Sequence, residues 1–201
     1  MRLPLPGKEV HDTVMSYHRP SVAEARAQQP PPRESSVMML LYLREANWHT
    51  LLIERPGNQG AHSGQLAFPG GRIESHETPL EAAFRETEEE VGISKHHIEV
   101  LGELSELYIP PSHFVVKPFV GLWLNQNPLR PNPDEVVRTL DVSLEYLFHP
   151  DSLQRYRVPI TAGQATLVVP GFQIEDKILW GATAMMVQEF RYLLSQVFSA
   201  E

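Results

Sequence analysis

The feature that most constrains this chain is the run from Gly70 to Ile93, GGRIESHETPLEAAFRETEEEVGI, which specifies one well-bounded helix with acids crowded along one side. Thr78 suits the N-cap, Pro79 takes the first helical position where no amide donor is needed, and Glu81 completes a Thr-x-x-Glu capping box. Gly92 supplies the stop. At about 100° per residue, Leu80, Ala83, Phe84, Thr87 and Val91 form a mainly apolar stripe, while Ala82, Glu86, Glu89 and Glu90 share another side. Carboxylates three and four residues apart repel by roughly a few tenths of a kcal/mol per exposed pair, and by more in a recess. A divalent cation reverses that penalty. The chain has no Cys and no metal-spaced His pair beside the acids, so the oxygen donors favour Mg²⁺ or Mn²⁺ over Zn²⁺.

The spacing raises the run above an ordinary acidic helix face. From Gly71 it reads Gly, five residues, Glu77, seven residues, then Arg85-Glu86-Thr87-Glu88-Glu89-Glu90-Val91-Gly92-Ile93. This resembles the Nudix box, G-x5-E-x7-R-E-U-x-E-E-x-G-U, in which U is a bulky aliphatic residue. Every charged and glycine position is filled. Thr87 stands at the first U position, on the core stripe, where its hydroxyl needs a partner such as the carbonyl one turn back.

The resemblance implies an α/β fold, a Nudix-type α/β/α sandwich around a mixed β-sheet, and metal-dependent hydrolysis of a diphosphate. It also implies roles. Glu86, Glu89 and Glu90 are the expected metal ligands with the Gly70 carbonyl, and Arg85, Glu86 and Glu89 form the catalytic group. Glu77 is expected to support the loop. The general base is open among Glu86, Glu103, Glu106 and Glu135.

Before the box, Leu51-Leu52-Ile53-Glu54-Arg55-Pro56, Gly64 and Phe68-Pro69-Gly70-Gly71 resemble the extra signature of coenzyme A pyrophosphatase-type Nudix hydrolases. Tyr108-Ile109-Pro110-Pro111-Ser112 and Ile178 to Ala184 are similar to the same subgroup, so the likeness spans about residues 34 to 197. It implies coenzyme A or acyl-coenzyme A as the small-molecule nucleotide substrate, with Arg55, His62, Gly64 and Phe68 as substrate-binding residues. Three positions depart from the signature. Ile53 replaces Thr, Pro56 replaces Ser or Ala, and Gly60 stands in place of a second Arg whose charge Gly cannot supply. Related substrates are ADP-ribose, dinucleotides or nucleoside triphosphates, and a noncatalytic nucleotide sensor is the reading from another class.

The chain's 201 residues, 42% of them hydrophobic, suit one domain with an arm. Residues 1–33 read as an N-terminal arm with a short helix near 7–18 and an extended Pro-rich stretch from Arg19 to Arg33, and 34–201 as the Nudix domain. A formal net charge of −8 argues against a general nucleic-acid binder. No apolar run of about 18 residues is present, so a soluble, cytoplasmic protein without membrane contact is expected. The arm and the terminal helix each offer a surface for homodimerisation.

Strands are expected at Ser35–Leu43 and Trp48–Glu54 as a hairpin, at Gln65–Phe68, Ile98–Tyr108, Val115–Leu124 and Glu135–Val142, and in three segments between Arg155 and Ile174. Helices are expected at Ser143–Phe148 and Ala182–Phe198, the latter packing through Met185, Met186, Phe190, Leu193, Leu194 and Val197.

Overall fold

The computed structural model describes residues 4–15, 18–57, 63–161 and 165–198. The run SSVMMLLYL forms the middle of strand β1 (Arg33–Arg44), and β2 (Asn47–Glu54) returns against it with Arg44 opposite Asn47. Near-continuous apolar sequence in β1 means both its faces are covered. Met38, Leu40 and Tyr42 point into one apolar cluster, and Met39 and Leu41 into another on the opposite face.

The main sheet runs β3-β2-β1-β7-β5, with β3 at Leu66–Ala67, β5 at Ile98–Glu103 and β7 at Phe114–Trp123. Strand β4 (Gly70–Arg72) adds to β1, β6 (Leu107–Ile109) to β7, and β8 (Arg138–Ser143) to β2. β1 and β7 pair in parallel and the other neighbours antiparallel, so the sheet is mixed. Strands β9 (Leu153–Thr161), β10 (Ala165–Ile174) and β11 (Lys177–Trp180) make a second antiparallel sheet.

The acidic run forms α3 (Pro79–Val91), which covers the Met38 face through Ala83 and Val91. The long C-terminal helix α5 (Gly181–Phe198) covers the Met39 face through Ala184, Met185, Met186, Val187 and Phe190. Helix, sheet and helix thus stack as the expected α/β/α sandwich. Val197 is a correction, since it faces solvent rather than the core.

Ahead of the sheet lie two short helices, α1 (Lys8–His11) and α2 (Val22–Arg26), and α4 (Leu144–Phe148) follows β8. α2 overturns the extended reading of Arg19–Arg33. Ser21 and Glu24 build a capping box there, which starts a helix despite the neighbouring prolines. The arm is clamped to the sandwich by Glu189 of α5, fully buried, which meets His11 at 2.7 Å and accepts from the Ser105 hydroxyl at 2.6 Å and amide at 3.0 Å. Burial pushes the Glu189 carboxyl up, but the His11 and Ser105 contacts outweigh it and hold the group below its usual value.

Candidate metal centre

Local rules place the acids. Thr78 accepts from the Glu81 amide at 3.3 Å and Glu81 accepts from the Thr78 amide at 2.8 Å, so both ends of the capping box are closed. Gly92, at φ 75°, ends the helix in the left-handed conformation, as Gly there can do without a Cβ penalty. Within the helix Thr87 is fully buried and its hydroxyl donates to the Ala83 carbonyl at 2.6 Å, the partner one turn back that a core threonine requires.

The acid side of α3 is not uniformly wet. Glu90 is only 1% exposed and lies against β4, where its Oε2 accepts from the Gly70 amide at 2.8 Å. Burial pushes its carboxyl up to about 7, against the pull of Arg55 and the Gly70 amide. Gly70, at φ 151°, has no room for a side chain, because a Cβ would strike the Ser36 carbonyl and the Val37 backbone. A Cβ on Gly71 would run into the Glu86 carboxylate. The two glycines therefore let backbone and acids approach each other closely.

Glu86 is half-buried, and burial raises its carboxyl above the usual range even with Arg85 beside it. Arg85 is the hub of the exposed half. Its guanidinium donates to Glu77 at 2.7 and 3.0 Å, to Glu86 at 2.9 Å, to Glu89 at 2.9 Å and to the Arg72 carbonyl at 3.0 Å. The Arg85 hydrogen bonds hold Glu77 below the ordinary carboxylate range, and Glu77 also accepts from the Glu74 amide at 2.8 Å.

A third acid joins from outside the helix. Ligand oxygens of Glu86, Glu90 and Glu135 all lie within 4.8 Å of one another. The loop that carries Glu135 is stitched to the end of α3, where the last carbonyls lack helical partners. Arg130 N–H donates to the Val91 carbonyl at 3.0 Å and Asn132 N–H to the Glu90 carbonyl at 3.0 Å. The Asn132 side chain accepts from the Asp134 amide at 3.1 Å, an Asx turn that aims the next residue back at the helix.

Glu135 is one of the three later acids among which the sequence leaves the general base open. The other two are occupied elsewhere, Glu103 with Lys117 at 3.0 Å and Glu106 with Arg26 at 2.9 Å. The Asn-Pro-Asp turn just before it is the local signal that could have singled it out. Glu89, expected among the ligands, is 51% exposed and held by Arg85 rather than gathered with Glu86 and Glu90.

The substrate-side expectations divide similarly. Arg55 turns toward the cluster, donating to the Gly70 carbonyl at 2.6 Å and lying 3.4 Å from Glu90. Gly64 takes φ 68° in the turn that follows, where its N–H reaches the Pro56 carbonyl at 3.4 Å. Phe68 is a correction. It is 1% exposed, packed among the Met39-side core residues, so its ring serves packing and not a ligand. His62 and Gly60 lie outside the described residues.

A family model described as the NUDIX domain matches residues 32–163. The chain is 34% identical over 147 residues to the uncharacterized Nudix hydrolase NudL of Pectobacterium atrosepticum, covering 72% of this chain and 74% of that protein. It is 30% identical over 142 residues to the peroxisomal coenzyme A diphosphatase NUDT7 of Mus musculus, covering 70% of this chain and 59% of that one. The solved Nudix hydrolase RenU from M. smegmatis shares the fold with a TM-score of 0.57 at 18% identity, over 83% of this chain and 88% of the other. A complete set of charged and glycine box residues on α3, a match across most of the chain and this shared fold lead to one conclusion: the chain belongs to the Nudix hydrolases, which act on pyrophosphate bonds.

Proposed function

We propose that this chain hydrolyses the diphosphate of coenzyme A or an acyl-coenzyme A, releasing 3′,5′-ADP and 4′-phosphopantetheine or its acyl form. The observation that carries the reading is the convergence of Glu86, Glu90 and Glu135 within 4.8 Å, directly behind the Phe68-Pro69-Gly70-Gly71 loop that resembles the coenzyme A signature. Likeness to the mouse coenzyme A diphosphatase supports the substrate class.

The donor set fits a hard divalent ion. All three groups are carboxylates, Glu90 is buried, and the missing side chain of Gly71 leaves the Glu86 carboxylate its space. Mg²⁺ or Mn²⁺ held by Glu86, Glu90 and Glu135, with Glu89 and the Gly70 carbonyl as further ligands, would offset the diphosphate charge and acidify a bound water.

The chain's own residues supply the rest. Arg85 fixes the rotamers of Glu86 and Glu89 through its shared guanidinium. Arg55 lies next to the cluster and is one-third exposed, and on this reading it meets a phosphate oxygen. On this reading Glu86 or Glu135 takes the proton from an attacking water as its oxygen bonds to phosphorus and the P–O bond to the leaving phosphate breaks. Glu77 supports this arrangement by bracing Arg85.

The test is product identification by mass spectrometry after incubation with coenzyme A and Mn²⁺ or Mg²⁺, with ADP-ribose, dinucleotides and nucleoside triphosphates in parallel. Release of 3′,5′-ADP is expected. Turnover confined to another substrate would retain the diphosphate chemistry and reject coenzyme A. Tight nucleotide binding without turnover of any of them would instead favour a sensor.

A further inference from the structure

Arg55 and Gly70 form a closed arrangement around the most buried acid of the centre. Arg55 follows the last residue of β2, and its backbone N–H is pinned to the Gln65 carbonyl at 3.1 Å. Its Nη2 donates to the Gly70 carbonyl at 2.6 Å and sits 3.4 Å from Glu90 Oε1. The other Glu90 oxygen, Oε2, accepts from the Gly70 amide at 2.8 Å. Gly70 therefore gives its N–H to Glu90 and its carbonyl to Arg55, and Arg55 closes the ring on Glu90.

A buried carboxylate facing two more carboxylates needs a nearby positive charge. Among the described ion pairs, the cation that reaches Glu90 is Arg55, while Arg85 is committed to Glu77, Glu86 and Glu89. The oxygens that Arg55 engages are also ones that the reading above assigns to a divalent ion. A divalent ion and the Arg55 guanidinium brought together on these oxygens repel each other, and more strongly at Glu90, which is 1% exposed, than at the half-buried Glu86 that Arg85 holds.

We propose that Arg55 is the resident counter-ion of the metal-free centre: it must swing off Glu90 and the Gly70 carbonyl before they take a divalent cation, and this movement delivers its guanidinium to the substrate phosphate. The inference rests on the assignment of Glu86, Glu90 and Glu135 as metal ligands. Its consequence is that Arg55 opposes metal loading even though it assists substrate binding. A conventional substrate-binding arginine, remote from the ligands, would leave metal affinity untouched.

The test is calorimetric titration of the full chain with Mn²⁺ alone, without any nucleotide, alongside thermal melting of the metal-free proteins. Arg55→Met is expected to bind Mn²⁺ about tenfold more tightly than wild type, because the competing charge is gone. Its metal-free Tm should fall, and its Tm gain on adding Mn²⁺ should exceed that of wild type. Arg55→Lys, which keeps the charge, is expected to stay within about threefold of wild type. Glu90→Gln controls for the centre itself and should lose the binding.

Equal or weaker Mn²⁺ binding by Arg55→Met, with Glu90→Gln still deficient, would overturn the counter-ion role and leave the metal centre standing. Equal tightening in Arg55→Lys and Arg55→Met would also overturn it, since charge would not be the cause. Identical binding by wild type and Glu90→Gln would remove the metal assignment and this inference together.

Discussion

At the scale of single residues, small groups decide whether the acids can meet. Gly71 faces the Glu86 carboxylate at a distance that leaves no room for even a methyl group. Gly71→Ala should therefore fold but displace Glu86, lowering kcat by about 10- to 100-fold, a loss in the range that misplacing a catalytic group produces. Thr87 presents the opposite case. Its hydroxyl is already satisfied by the Ala83 carbonyl, so Thr87→Val, which restores the aliphatic type of the box, should change stability by no more than about 1 kcal/mol and leave kcat unchanged. Urea unfolding and steady-state kinetics on the two variants would check this contrast. Box spacing made Glu86 and Glu90 legible in the sequence. The i, i+4 spacing of Arg85 and Glu89 is equally local, but the inward turn of Glu135 is not, because its loop path depends on partners distant in the chain.

At the scale of elements, α3 was legible because each of its boundaries has a local chemical cause, from Thr78 and Pro79 at the start to Gly92 at the end. Thr78→Ala removes the hydroxyl that caps the Glu81 amide and should cost about 1 kcal/mol of stability, read as a lower denaturation midpoint with an unchanged slope. α2 is harder to see in the sequence, because Pro20 and Pro30-Pro31-Pro32 on either side favour an extended chain although Ser21 and Glu24 form the same kind of box. β11 was missed for another reason. Its four residues are too short for a periodic pattern, and they become a strand only by pairing with β10. Pro170 and Gly171 looked like a break between strands, yet β10 runs through both, with Gly171 allowing close approach to the Leu179 carbonyl. The loop after β7 illustrates the same limit: it is shaped by the orphan carbonyls of α3, which the loop's own sequence does not contain.

At the scale of the molecule, the two covered faces of the sheet follow from the unbroken apolar run of β1, and the family resemblance supplied the order of layers. The joint between the two sheets combines apolar packing of Phe172 and Leu179 with Leu52, Leu66 and Leu140 and a charged network whose partners are far apart in the chain. Glu54 of β2 receives Arg138 of β8 at 2.7 Å and Lys177 of β11 at 2.8 Å, and Arg138 continues to Glu175 at 2.9 Å and to Asp176. Burial pushes the Glu54 carboxyl up, but Lys177 and Arg138 together outweigh it and hold the group below its ordinary value of 4.5. A lowered folded-state pKa means that this joint stabilises the fold above that pH and loses its contribution as acid protonates Glu54. Glu54→Gln should lower Tm by roughly 3–6 °C at pH 7, and the difference from wild type should shrink as the pH falls below about 4.5. The account's central claim is that a helix and a distant loop build one centre from Glu86, Glu90 and Glu135. Its most direct test is kcat for the best diphosphate substrate, measured against Mn²⁺ concentration for wild type, Glu90→Gln and Glu135→Gln. The account predicts that each variant loses at least about 100-fold in turnover at an Mn²⁺ concentration that saturates wild type; a Glu135→Gln enzyme with wild-type kcat and wild-type Mn²⁺ dependence would contradict it.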